Sequence, residues 1–200
     1  MSKGFIPPHG GYKKLLSYQK AEIVYDATVY FCDHFIDRRS RTHDQMVQAA
    51  RSGKQNIIEG SMASATSKET EIRLTNVARA SLEELLADYR DFLRGRGLQE
   101  WPKDHPSVLH LRKLNKIPDA TYATFRTGIE NPNPAVAANV IIGLIRVTSY
   151  LLDRQLRQLE AAFVREGGMR ERMTRARLDE RSRRGAVPED QGQKGSQRQQ

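Results

Sequence analysis

The sequence predicts an all-α protein: an antiparallel up-down-up-down four-helix bundle with a partly helical insertion before the last helix and a disordered basic tail. Three observations predict it. Apolar residues recur at the 3.6-residue helical period in four separate stretches, with no period-two alternation of comparable length. Serine, threonine, asparagine, proline and glycine punctuate those stretches where helices begin and end. The composition, 28% charged and 38% hydrophobic over 200 residues, suits one globular domain with a sizeable core.

Residues 1–11 are rich in proline and glycine and read as an irregular lead. The first helix runs from about Tyr12 to Arg38, its face marked by Leu16, Ile23, Val24, Ala27, Tyr30, Phe31 and Phe35. The second starts at Thr42, where Thr42 and Gln45 have capping-box spacing. Its seam of Met46, Ala50, Gly53 and Ile57 is small enough to let a neighbouring helix approach, and Gly60 is placed to end it. The third begins near Thr66 or Ser67, with Thr66 and Glu69 as a second capping box, and carries Leu74, Ala78, Leu82, Leu85, Leu86, Tyr89, Phe92 and Leu93 before Gly95 and Gly97 stop it. These three helices occupy residues 12–97. Residues 98–133 form an insertion in which Ser107–Leu114 and Ala120–Ile129 are candidate short helices. The last bundle helix, residues 134–166, follows Asn133-Pro134, a cap and a proline in the first turn. Its apolar face, from Val140 and Ile141 through Leu144, Val147, Leu151, Leu152, Leu156 and Leu159 to Phe163, is wide enough to suggest burial against a second subunit. Residues 167–200 form the polar tail; from residue 169 it holds nine Lys or Arg against five Asp or Glu, and it is expected to be disordered or helical only at its start.

The chain carries a formal charge of +9 and a pI of about 9.8. That balance favours polyanionic partners, although surplus arginine also decorates solvated helix faces. The single cysteine, Cys32, excludes an intramolecular disulfide and sits among apolar neighbours, as a core side chain does. The first residues lack the apolar run of a signal peptide, and the longest apolar run, Val140–Ile145, falls short of a membrane span, so a cytoplasmic protein without a membrane partner is expected.

The second and third helices carry a more specific signal. Gln45-x-x-Gln48-Ala-Ala-Arg-Ser52-x-x-x-Asn56-Ile57-x-Glu59-Gly60, then Glu71, then Ala78-x-Ala80-Ser81-Leu82-x-Glu84-Leu85, followed by Asp88-Tyr89-Arg-Asp91-Phe92-Leu93 and Trp101, resembles the bacterial four-helix-bundle family. That family includes the ribosomal RNA intervening-sequence proteins and the accessory variability proteins of diversity-generating retroelements. The wording looks closest to the four helix bundle suffix domain branch, and the resemblance spans Tyr12 to Arg165. It implies an antiparallel four-helix bundle that assembles into a basic homo-pentameric ring. It also implies, for the retroelement branch, binding to a reverse transcriptase and to nucleic acid. The chain departs from the pattern at Gly53-Lys54, where many relatives have an aliphatic residue and a proline, and at the insertion.

No reaction is predicted. Gln45, Ser52, Asn56 and Glu59 flank the second helix's seam, and Ser81 and Glu84 flank the third's. These read as a structural polar network fixing helix register. The sharper alternative pairs Glu59 with Glu84 as acid and base or as metal ligands, but di-metal bundles supply a Glu-x-x-His motif that this chain lacks. His9, His34, His43, His105 and His110 form no metal-binding spacing, and no phosphate-cradling glycine loop is present, so no metal or cofactor is expected. The candidate functional pattern lies on the last helix. Arg146, Arg154, Arg157 and Arg165 fall within a sector of about 100°, with Tyr150 in its middle. Arginine interleaved with an aromatic suits phosphate contact and base stacking, which points to RNA or DNA. The alternatives are arginines paired with nearby carboxylates, and a scaffolding oligomer or protein-partner adaptor without a nucleic-acid role.

Overall fold

The computed structural model describes residues 11–185. Among them every regular element is helical. A 3-10 turn at Tyr12–Lys14 leads into α1 (Leu16–Phe35), α2 (Arg41–Ala63), α3 (Lys68–Gly95), α4 (Pro106–Leu114), α5 (Tyr122–Ile129), α6 (Pro134–Glu166) and α7 (Met169–Gly185).

The four long helices close a circuit of contacts: α1 on α2, α2 on α3, α3 on α6 and α6 on α1. Phe31, Met46, Ile57, Leu82, Leu85, Tyr89 and Leu144 fill its centre, each buried. Phe31 meets Tyr89 and Phe92 edge-on at centroid distances of 5.0 and 4.8 Å, the arrangement that ring quadrupoles favour. The buried Tyr89 hydroxyl donates to Thr28 Oγ1 at 3.2 Å, so its polar end is satisfied inside the core.

Helix ends explain where the expected boundaries shift. Ser40, not Thr42, caps α2, its Oγ accepting from the Thr42 amide at 3.2 Å in an extended backbone. Ser67, not Thr66, caps α3, accepting from the Thr70 amide at 3.1 Å. Gly60 does not end α2, which continues to Ala63. A Cβ at Gly60 would lie 3.4 Å from both the Glu71 carbonyl oxygen and the Leu74 Cβ, so this glycine serves the close approach of α2 and α3. Gly97 adopts φ +64 after α3; its amide donates to the Arg94 carbonyl and the Leu98 amide to the Leu93 carbonyl, a Schellman closure that satisfies the last carbonyls.

The insertion is partly helical, as expected, with α4 and α5 close to the anticipated spans. It is pinned to α6 by Asn139. That buried side chain accepts from the Trp101 amide at 2.7 Å and donates to the Gln99 and Ala135 carbonyls at 3.0 and 2.8 Å. Phe125 and Ile129 of α5 pack against α1 and α6.

Helix α6 matches its expected span, with Asn133 capping the Ala135 amide at 2.9 Å. Its wide apolar face is taken up within the chain by α1, α3, α4 and α5, so intrachain packing accounts for the width that suggested a second subunit. A window of α6 is also long and apolar enough to cross a membrane, contrary to the expectation from the Val140–Ile145 run; it has a mean hydropathy of 1.8 and 61% of it is buried in the fold. The start of the tail is helical, one of the two states expected of it. Met169–Gly185 is α-helical, built from Arg, Glu, Met and Ala, residues of high helix propensity, though it has no apolar face to bury. The remainder of the tail and the first ten residues of the lead lie outside the described residues.

Candidate nucleic-acid interface

The arginine sector divides into parts with different surroundings. Arg146 is half-buried and its guanidinium pairs with Glu100, in the segment that follows α3. Glu100 also accepts from Arg90 Nε at 3.0 Å, so one carboxylate ties α3, the insertion and α6 together. Arg146 is thereby a structural tether, and its expected role as a free phosphate contact is not what its surroundings support. Tyr150, one helical turn on, is 56% exposed and presents its ring to solvent. Arg154 and Arg157 are exposed and have no ion-pair partner among the described residues. Arg165 pairs with the adjacent Glu166 at 2.8 Å, and this contact holds the Glu166 carboxyl below its ordinary value. Both groups are open to water, where such a pair is worth little and opens readily.

The acidic neighbours of the sector matter as much as its arginines. Asp153 accepts from Arg79 Nη1 of α3 at 2.9 Å, so this carboxylate is paired across the α3–α6 contact and not with Arg154 or Arg157, while Glu69 and Glu160 line the same groove as Arg157. Beyond Arg165, the exposed residues of α7 add Arg170, Arg175, Arg177, Arg181 and Arg183. At 1.5 Å per residue, the stretch from Tyr150 to Arg165 extends about 22 Å along the helix.

The polar residues between α2 and α3 are joined only in part. Ser52 Oγ and Ser81 Oγ are 2.9 Å apart, and Asn56 Nδ2 donates to the Ser52 carbonyl at 2.9 Å and to its Oγ at 3.2 Å. Gln45, Glu59 and Glu84 are exposed and take no part in that cluster, which corrects the wider network expected of them. Gln45 and Glu84 line an open groove of about 780 Å³ between α2 and α3 together with Asp44 and Asp88; Glu59 does not. The proposed Glu59–Glu84 pair is therefore not assembled there. Among the described residues no group of three or more His, Cys, Asp or Glu side chains is placed to hold a metal ion. Partial burial, then Asp91 and Glu84, raise the Asp88 carboxyl above its ordinary value.

Two sites lay beyond sequence reasoning. A pocket forms where α4 meets α6, lined by Trp101, Leu111, Ile142 and Tyr150. Lys20 of α1 is buried, with Nζ lying 4.9 Å from the Phe125 ring centroid and making no hydrogen bond. The one signal in the sequence was Asn139, a polar residue in the middle of an apolar helix face, which marks a docking point for another segment. Comparison of the chain with family models, with curated proteins and with solved structures returns no match.

Proposed function

We propose that the chain is a non-enzymatic helical-bundle adaptor that self-associates and binds RNA or DNA through the α6 face around Tyr150, Arg154 and Arg157, with Arg165 and α7 extending it. The observation that carries this reading is the pair Arg154 and Arg157, exposed beside an exposed tyrosine while the neighbouring Asp153 is occupied by Arg79. Such a surface contacts phosphates by charge and bases by stacking, without base-edge readout. The circuit of α1, α2, α3 and α6 supports the antiparallel four-helix bundle with up-down-up-down order that the family resemblance implies. The pentameric state rests on that resemblance alone, as does a protein partner, and cytoplasmic placement belongs to the same proposal.

The test is fluorescence anisotropy of labelled single-stranded RNA and DNA across a salt series, using wild type and the double variant Arg154→Glu, Arg157→Glu. Wild type is expected to bind both without strong sequence preference and to weaken steeply with salt. Removing two phosphate-binding arginines should lower the log–log salt slope by about 1.4. Unchanged binding in the double variant would remove the reading. A scaffolding oligomer without a nucleic-acid role is the second reading, favoured by the Arg146–Glu100 tether, and it requires wild type itself to leave the labelled strands free.

A further inference from the structure

The pocket between α4 and α6 is unlike the open grooves elsewhere on the surface. It holds about 270 Å³ and is walled largely by apolar side chains, among them Val108, Leu111, Ile142 and Val147. Leu111 and Ile142 are themselves core residues, so the floor is continuous with the interior. At its mouth stand three cationic groups, Lys103, Arg112 and Arg146. Arg146 is already engaged by Glu100, which it shares with Arg90. Lys103 and Arg112 are exposed and have no ion-pair partner among the described residues. No carboxylate lines the pocket.

An apolar cleft with two free cations at its rim selects for a ligand with a greasy body and an anionic head. The volume lies just below the range that drug-sized molecules occupy, which limits the body to a short chain or a single ring. We propose that this pocket binds a small amphipathic carboxylate, its alkyl or aryl body against Leu111, Ile142 and Val147 and its carboxylate between Lys103 and Arg112. The charge at the rim discriminates acids from the corresponding alcohols, because the head group replaces water around two unpaired cations. The walls discriminate against highly polar acids, which have no apolar surface to lose.

This assignment does not rest on nucleic-acid binding. The pocket shares Tyr150 with the basic face but takes neither Arg154 nor Arg157. The two can therefore be separated by mutation.

Trp101 lines the pocket and is the single tryptophan of the chain, so its emission reports on this site alone. One face of its indole is covered by His105, stacked at 4.6 Å, which fixes the ring. The experiment titrates the full chain with octanoate and, separately, octanol, reading Trp101 emission and heat by calorimetry. Wild type is expected to bind octanoate saturably and octanol about tenfold more weakly, the difference contributed by two rim-exposed charge contacts. The double variant Lys103→Glu, Arg112→Glu, at exposed positions that leave the fold intact, should lose that tenfold preference while octanol binding stays unchanged. Val147→Phe, which fills the cleft, should weaken both ligands. Arg154→Glu with Arg157→Glu should leave both unchanged, even if it abolishes nucleic-acid binding. Absence of saturable octanoate binding by both readouts would overturn the proposal. So would equal affinity for octanol in wild type, or an octanoate affinity indifferent to reversal of Lys103 and Arg112.

Discussion

Replacing Lys20 with methionine should stabilise this protein at neutral pH. Lys20 of α1 is buried in the protein interior at 6% exposure, and its Nζ is shielded from solvent without a hydrogen-bond acceptor. An unsatisfied buried polar group costs about 1–3 kcal/mol, more when charged. The Phe125 ring, 4.9 Å from Nζ, returns about 1 kcal/mol of that as a cation–π contact. Methionine keeps the length and flexibility of the stem and removes the ammonium, for a net gain of up to about 2 kcal/mol. In a chain of this size that raises the melting temperature by up to about 8 °C. The gain also has a pH signature. Burial lowers the Lys20 pKa from its ordinary 10.5, so the native state binds this proton less tightly than the unfolded chain does. Stability associated with Lys20 is complete above 10.5 and is lost as pH falls through the lowered native value, which leaves the wild type carrying the penalty at neutrality. Thermal melts followed by circular dichroism at pH 7 and near pH 10.5 should therefore show the variant's advantage shrinking at the alkaline end. A variant that melts lower than wild type at pH 7, or an advantage independent of pH, would refute the reasoning.

Other substitutions test the packing and titration around this frame. A Cβ at Gly53 would lie 2.9 Å from Leu82 Cδ2 and 3.0 Å from its Cγ, inside a buried α2–α3 contact, so Gly53→Val should cost about 1–3 kcal/mol in urea unfolding despite valine's better helix propensity. Asp88 has its carboxyl raised first by burial and then by Asp91 and Glu84, so its ionisation opposes folding; Asp88→Asn should raise the melting temperature at neutral pH, with the gain disappearing as pH falls below the ordinary 3.8. Cys32 is fully buried and its thiol is pushed up to about 12, chiefly by burial; an aromatic disulfide reagent should leave it unmodified in native protein and label it at once in denaturant.

How much of this was legible in the sequence depends on range. The long helices were legible because each must bury one face, and a 3.6-residue recurrence is the direct record of that demand. The start of α2 lies a residue or two before the expected Thr42 because Ser40 competes with it, and of the two candidates for α3, Thr66 and Ser67, the cap is Ser67; either member of each pair is a competent cap, and only the backbone angles decide. Gly60 is ambiguous in the sequence because glycine both ends helices and permits close crossings, and the sequence does not say which neighbour stands opposite. The helix at Met169–Gly185 leaves no amphipathic trace, since charged residues dominate its composition. The spacing of the arginine sector was legible in full, being a property of one helix. The partner of Arg146 was not, because Glu100 stands 46 residues away and reaches it only through the fold. The pocket beside it was invisible for the same reason, as its walls come from an insertion whose docking depends on Asn139.

Five residues of one sector look equivalent on a helical wheel, yet the fold sorts them by what stands opposite. Arg146 lies where the insertion crosses α6, so its charge is consumed in holding Glu100 and, through it, Arg90. Past Tyr150 the neighbour of α6 is α3, which offers Arg79 to Asp153 and places Glu69 further along the same groove. Arg79 satisfies Asp153, which stands next to Arg154 in sequence and lines one groove with Arg157, and so it takes one of the acids around that segment out of competition for its arginines. Removing it should therefore act twice: Arg79→Ala frees Asp153 to turn toward the sector, and it deletes one cation from the same groove. If the exposed face binds nucleic acid by charge, Arg79→Ala should weaken that binding while every side chain that meets the strand stays in place, and the added substitution Asp153→Asn should recover most of it. Failure of the second substitution to restore affinity would mean that Arg79 touches the strand directly or that the face around Arg154 is not where the strand lies.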